Sequence, residues 1–181
     1  MPALRSPEDL LVTELKQIYS AERQLSRAIP KLRKQVASDH LGEALDKRRE
    51  QGSTLMERLD EIFEEMETSK GRPKNVAVEG LLEDANQEVE EVQDKKLVDP
   101  VLLASMQKIE HYCIAAWGTA RSMGDLLKRE SVVKTMEEVL AEGKRFDQEM
   151  TDLAEKEVNP AMLEEDGEDA QQGGRKGRKS H

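Results

Sequence analysis

The chain has 181 residues, of which 36% are charged, 36% hydrophobic and only 3% aromatic, with a net charge of −10 and a pI near 5.0. That size suits one domain, or one domain with a tail. The acidic balance disfavours nucleic acid and anionic membranes as partners, the single cysteine (Cys113) excludes an intrachain disulfide, and no apolar run approaches the ~20 residues of a membrane helix.

Ser6-Pro7-Glu8-Asp9 opens the first predicted helix, with an N-cap serine, a proline at the first helical position and acids suited to the helix dipole. Its apolar pattern runs to about residue 37 and carries Pro30 inside as a kink. Ser38-Asp39 caps a second helix, 39–66. The stretch 68–75 reads as a loop, followed by a shorter helix over 76–95 that bears Glu83 and Asp84 as exposed or capping acids. Asp99-Pro100 opens another long helix to about residue 128, and Ser131 is a candidate cap for the last, which ends near Val158.

These lengths predict an all-α fold. Two tight junctions, near Ser38 and Arg129, make two antiparallel hairpins. The stretch 68–98 is long enough to cross from one end of the bundle to the other, carrying its short helix. Two hairpins joined by such a crossover form a ferritin-like four-helix bundle, expected over 6–160. Residues 161–181 read as a disordered tail, acidic from Glu164 to Asp169, then Gly-rich, then basic from Arg175 to Lys179. MPALRSPEDL lacks the apolar centre of a signal peptide, so the expected compartment is the cytoplasm.

Several polar residues occupy core slots. On the first helix Leu11, Leu15, Ile18, Leu25, Ile29, Leu32 and Val36 follow alternating spacings of four and three, and Glu22 fills the slot between Ile18 and Leu25. Leu103, Met106, Glu110, Cys113, Trp117 and Ala120 make a stripe on the third long helix. Val133, Met136, Leu140, Gly143, Asp147 and Met150 make one on the last. Glu22, Glu110 and Asp147 are thus predicted to turn inward at mid-height. The second helix's seam includes Arg48 and Gly52, with Glu50 beside it. A buried carboxylate must protonate, pair with a cation or bind metal. Two readings follow. The acids, with Glu50 or Glu142 assisting, are hard oxygen ligands for iron or manganese; or Arg48 neutralises them in a metal-free ion network. Such di-metal sites take Glu-x-x-His from two helices, and no Glu-x-x-His occurs here.

Tyr19-Ser20-Ala21-Glu22-Arg23-Gln24-Leu25, Val78-Glu79-Gly80-Leu81-Leu82-Glu83-Asp84-Ala85, Gln107-Lys108-Ile109-Glu110-His111-Tyr112 and Ala115-Ala116-Trp117-Gly118-Thr119 resemble the YciE/YciF family. The resemblance spans about residues 6–158. It implies a ferritin-like fold, commonly dimeric, in bacterial stress-associated proteins with a proposed di-iron site; no firm biochemical activity comes with it. Glu22, Glu50, Glu110, Glu142 and Asp147 stand where that family usually has acids, and they are the metal-ligand candidates, with His111 and Cys113 as weaker ones. The sequence departs at Cys113 and Gly143, where a second Glu is frequent, at Arg48, where His is common, and at Gly52 and Leu55, where polar residues are usual.

The leading expectation is a cytoplasmic, homodimeric, ferritin-like stress protein with a degenerate iron or manganese carboxylate site, whose bridging carboxylates would support peroxide reduction or ferrous oxidation. The alternative is a metal-free structural or interaction dimer with a buried Arg–carboxylate network. Whether the chain is an enzyme is open. Nucleic acid enters only as a weak partner of the basic tail.

Overall fold

The computed structural model describes residues 4–163. The expected tail therefore lies outside the described residues from 164 onward. Among the described residues the regular structure is entirely helical: α1 (Pro7–Arg33), α2 (Asp39–Glu65), α3 (Val76–Glu91), a 3-10 turn (Lys95–Leu97), α4 (Val98–Leu126), α5 (Glu130–Leu153), a π-helical turn (Ala154–Val158) and a terminal turn, α6 (Asn159–Ala161). Among the described residues, no helix is long and apolar enough to cross a membrane.

Capping chemistry sets most of these starts. The Ser6 hydroxyl accepts from the Asp9 amide at 3.0 Å, Ser38 from Leu41 at 3.2 Å and Asn75 from Val78 at 3.0 Å. Sharp ends follow from left-handed residues just past α2 and α4, Glu67 (φ 49°) and Lys128 (φ 56°). There the Thr68 amide reaches Phe63 O and the Arg129 amide reaches Gly124 O, closing each helix within one turn.

Cross-helix pairs define the topology. Arg33–Asp46 and Tyr19–Asp60 run α1 against α2 in opposite directions, as Arg121–Glu137 and Gln107–Asp147 do for α4 and α5. Lys47–Glu149 and Arg58–Glu138 make α2 and α5 antiparallel neighbours. Two antiparallel hairpins therefore lie side by side. α3 carries the chain from the end of α2 back to the opposite end of the bundle, packing on α4 and α1.

The core is an aliphatic seam that includes Leu11, Leu15, Ile29, Leu41, Leu59 and Met106, each with no solvent exposure to the nearest percent. Burying side chains of this size contributes roughly 1.5–3 kcal/mol each, so the low aromatic content is no handicap.

Five sequence expectations shift. α1 stops at Arg33 rather than 37, because Asp99 draws the next residues away: its carboxylate accepts from the amides of Ala37 (2.9 Å) and Ser38 (2.7 Å). Asp99 is thus spent on the α1–α2 joint, and α4 begins at Val98 with no side-chain cap. α3 closes at Glu91 rather than 95, and a separate 3-10 turn capped by Asp94 precedes α4. α5 starts at Glu130 behind Arg129, not Ser131, and its buried face is Val132, Met136, Val139, Gly143, Phe146 and Met150. That face is rotated from the expected stripe, so Val133, Leu140 and Asp147 sit on its flank.

Candidate functional site: a buried arginine–carboxylate triad

Glu22 on α1, Arg48 on α2 and Glu110 on α4 meet at mid-height with 1%, 1% and 0% exposure. Each arrives by helical spacing alone, since each occupies a seam slot between aliphatic residues of its own helix. The guanidinium donates from Nη1 and Nη2 to the two oxygens of Glu22, both at 3.0 Å, as a bidentate fork. Its Nε donates to Glu110 Oε2 at 2.5 Å. Three of the four carboxylate oxygens are thereby taken by one cation. Glu110 Oε1 has no hydrogen-bond partner among the described residues.

Neighbouring residues are shaped to this group. The Arg48 guanidinium carbon sits 5.4 Å from the Trp117 ring centroid, a cation–π approach in a dry setting. Gly52 and Gly143 make room. A Cβ on Gly52 would meet Glu22 Oε2 at 2.5 Å, and one on Gly143 would meet Trp117 Cζ3 at 2.5 Å and Glu110 Oε1 at 2.7 Å. These glycines are required by close approach.

The electrostatics follow from burial against a single positive charge. Burial opposes the charge on Arg48, but the Glu22 and Glu110 carboxylates outweigh it and hold the guanidinium well above its ordinary range. Burial pushes the Glu110 carboxyl up, and the attraction of Arg48 offsets this only in part. One cation against two anions leaves the layer a proton short of neutrality, and Glu110 is the carboxyl biased to hold it. Burial and the Glu22 charge push the Cys113 thiol far above its usual range, which removes its thiolate as a ligand or nucleophile.

The remaining sequence candidates do not join this layer. Asp147 lies on the flank of α5 with its side chain 25% exposed, because Phe146 takes the inward position. Its Oδ1 lies 3.0 Å from His111 Nε2 and accepts from Gln107 Nε2 at 3.4 Å. His111 is itself 67% exposed. Glu50 is exposed, and partly buried Glu142 borders a surface crevice with Gln51, Leu55 and Arg58. Among the described residues, no three His, Cys, Asp or Glu side chains converge as a metal shell. Arg48 donates into the space between the two central carboxylates where a divalent cation would have to bind. The donor set therefore does not fit a di-metal centre.

One polar cluster escaped sequence reasoning. Buried Asn75 donates from Nδ2 to Gln17 O (3.1 Å) and Tyr112 Oη (2.8 Å), and its own amide donates to Ser20 Oγ (3.0 Å). Ser20 Oγ in turn donates to Pro73 O at 2.8 Å. These bonds fix the crossover against α1 and α4. The available signal was an asparagine three residues before an apolar helix position, facing the polar Ser20 and Gln24 of α1.

Fold and site together define a class: an all-helical crossover bundle whose central layer is an ion triad shared by three helices. The chain belongs to the family described as a domain of unknown function, DUF892, whose model matches residues 6–163. Protein YciF of Escherichia coli (strain K12) is 36% identical over 157 residues, covering 86% of this chain and 95% of YciF. The crystal structure of that E. coli stress protein superposes with a TM-score of 0.81 over 86% of this chain and 99% of its own. YcfI of Rhodopseudomonas palustris, provisionally called a structural protein, is 29% identical with a TM-score of 0.79, over 83% of this chain and 96% of its own.

Proposed function

We propose that this chain is a YciF-like stress-response protein of ferritin-like connectivity that works as a metal-free structural or interaction bundle, assembled as a homodimer. The observation that carries this reading is the Arg48 guanidinium donating to both Glu22 and Glu110, which supplies the positive charge a metal would otherwise bring. Asp147, one of the other acids a di-metal centre would recruit, pairs with His111 and Gln107 on the flank of α5, and Glu142 borders a surface crevice. The family resemblance supplies the expectation of a dimer, and the name of YciF as a stress protein supplies the physiological setting.

Elemental analysis after purification without chelator, followed by anaerobic loading with ferrous iron or manganese, tests the metal question. The expected result is less than about 0.1 metal per chain before and after loading, since ligand count and geometry are both lacking. Near-stoichiometric uptake by the natural chain would sink the reading. Arg48→His is the companion variant: it withdraws the guanidinium and adds an imidazole, and should raise uptake relative to the parent. Sedimentation velocity tests the dimer; a monomer at micromolar concentration would refute it.

A further inference from the structure

The crossover is strongly acidic. Residues 79–94 hold seven acids and no lysine or arginine, and Lys95 and Lys96 follow at once. Lys108 of α4 answers Asp84 (3.7 Å) and Glu88 (3.2 Å), and Lys74 answers Glu79. Glu83, Glu90 and Glu91 are exposed and have no salt bridge among the described residues. Beside the C-terminal end of α3 lies a groove of about 410 Å³, bordered by Glu88, Glu91, Leu97, Val101 and Met162. Met162 is the next-to-last described residue, so the chain leaves the bundle at this groove, with Leu163 86% exposed.

Residues 164–181 carry the inverse order of charge. Glu164, Glu165, Asp166, Glu168 and Asp169 come first, and Arg175, Lys176, Arg178 and Lys179 follow a Gly-Gly pair. A segment leaving beside Leu97 and running antiparallel to α3 would set its acids near Lys95 and Lys96 and its bases along Glu91, Glu90, Asp84 and Glu83. Reach is ample. The twelve residues from 163 to 175 span up to ~40 Å extended, and the 16 residues of α3 cover about 24 Å. Surface ion pairs are individually weak, but a short tether holds the partner at roughly millimolar local concentration, where several weak pairs act together.

We propose that the basic end of the segment 164–181 docks in cis on the acidic outer face of α3, entering by the groove at Met162. This inference does not depend on the central triad being free of metal.

Zero-length carbodiimide cross-linking of the full-length protein at low salt, read by peptide mass spectrometry, tests it. Lys176 or Lys179 should link to Glu83, Asp84, Glu90 or Glu91 within one chain, at a yield independent of protein concentration. The full-length double variant Arg175→Glu/Arg178→Glu keeps both reactive lysines and should lower that yield about five-fold, as should 0.5 M salt. Links spread over surface carboxylates elsewhere, or a yield unmoved by the variant, would overturn the proposal. So would a yield that rises with concentration, which assigns the tail to a second copy. Absence of these links, together with salt-sensitive binding of duplex DNA by the full-length protein, would assign the basic end to nucleic acid and overturn it equally.

Discussion

Arg48 and Glu110 impose opposite demands on the same sealed layer. Removing the arginine strands two carboxylates in a core with no other buried cation among the described residues, and a buried pair broken on one side typically costs about 3–5 kcal/mol. Arg48→Met should therefore lower the urea midpoint severely or prevent folding. The triple variant Arg48→Met/Glu22→Leu/Glu110→Leu should recover most of the loss, because all three charges leave together. A single Arg48→Met variant as stable as the parent would mean that the carboxylates are satisfied by other means. Glu110 makes a pH statement. Its carboxyl is raised from an ordinary value of 4.5, chiefly by burial. The fold thus favours its protonated form; the stability tied to that proton is present in acid and lost as pH rises through the raised value. Glu110→Gln keeps an acceptor for Arg48 without a titrating charge. The stability of this variant relative to the parent should grow between pH 4 and pH 8 in paired denaturation curves. A difference that shrinks with pH would show that ionised Glu110 is the favoured form.

At the scale of elements, the long helices were legible because seam spacing and cap residues agree. Ser6-Pro7 and Ser38 sit where the sequence places helix starts, and Leu11 through Leu32 and Leu41 through Ile62 are the buried seams expected of them. The boundaries that moved did so through contacts distant in sequence. Asp99 reads locally as a cap, yet it serves amides more than sixty residues earlier. Asn75 reads as a loop residue, yet it caps α3 and also ties that helix to Gln17, Ser20 and Tyr112. Asn75→Ala should cost about 1 kcal/mol for the lost cap and a further 1–3 kcal/mol for the buried partners left unsatisfied. Guanidinium melts would register this, and hydrogen exchange should quicken first in α3. Uniform loss of protection across all helices would argue that the crossover is not locally separable.

For the whole molecule, the triad is a buried polar contact shared by α1, α2 and α4 at a common height. It therefore couples the two hairpins, and register between them is specified there more sharply than by interchangeable leucines. In a destabilised but folded variant such as Arg48→Lys, which keeps the charge but loses the planar fork, amides around Glu22, Arg48 and Glu110 should lose exchange protection together. Loss confined to α2 would refute that coupling.

The sequence by itself determined the helical content, the two hairpins with their crossover, and the inward placement of Glu22, Arg48 and Glu110, because apolar periodicity and capping are local and survive without a partner helix. Only the tertiary structure decided what those inward groups do. Periodicity assigns a residue to a face with an uncertainty of about one position, and on α5 that difference put Phe146 inside and Asp147 on the flank. Likewise, no spacing rule distinguishes carboxylates that converge on a vacant centre from carboxylates that grip an arginine. That distinction rests on distances of a few ångströms between helices remote in sequence, and on two glycines whose missing side chains leave the space.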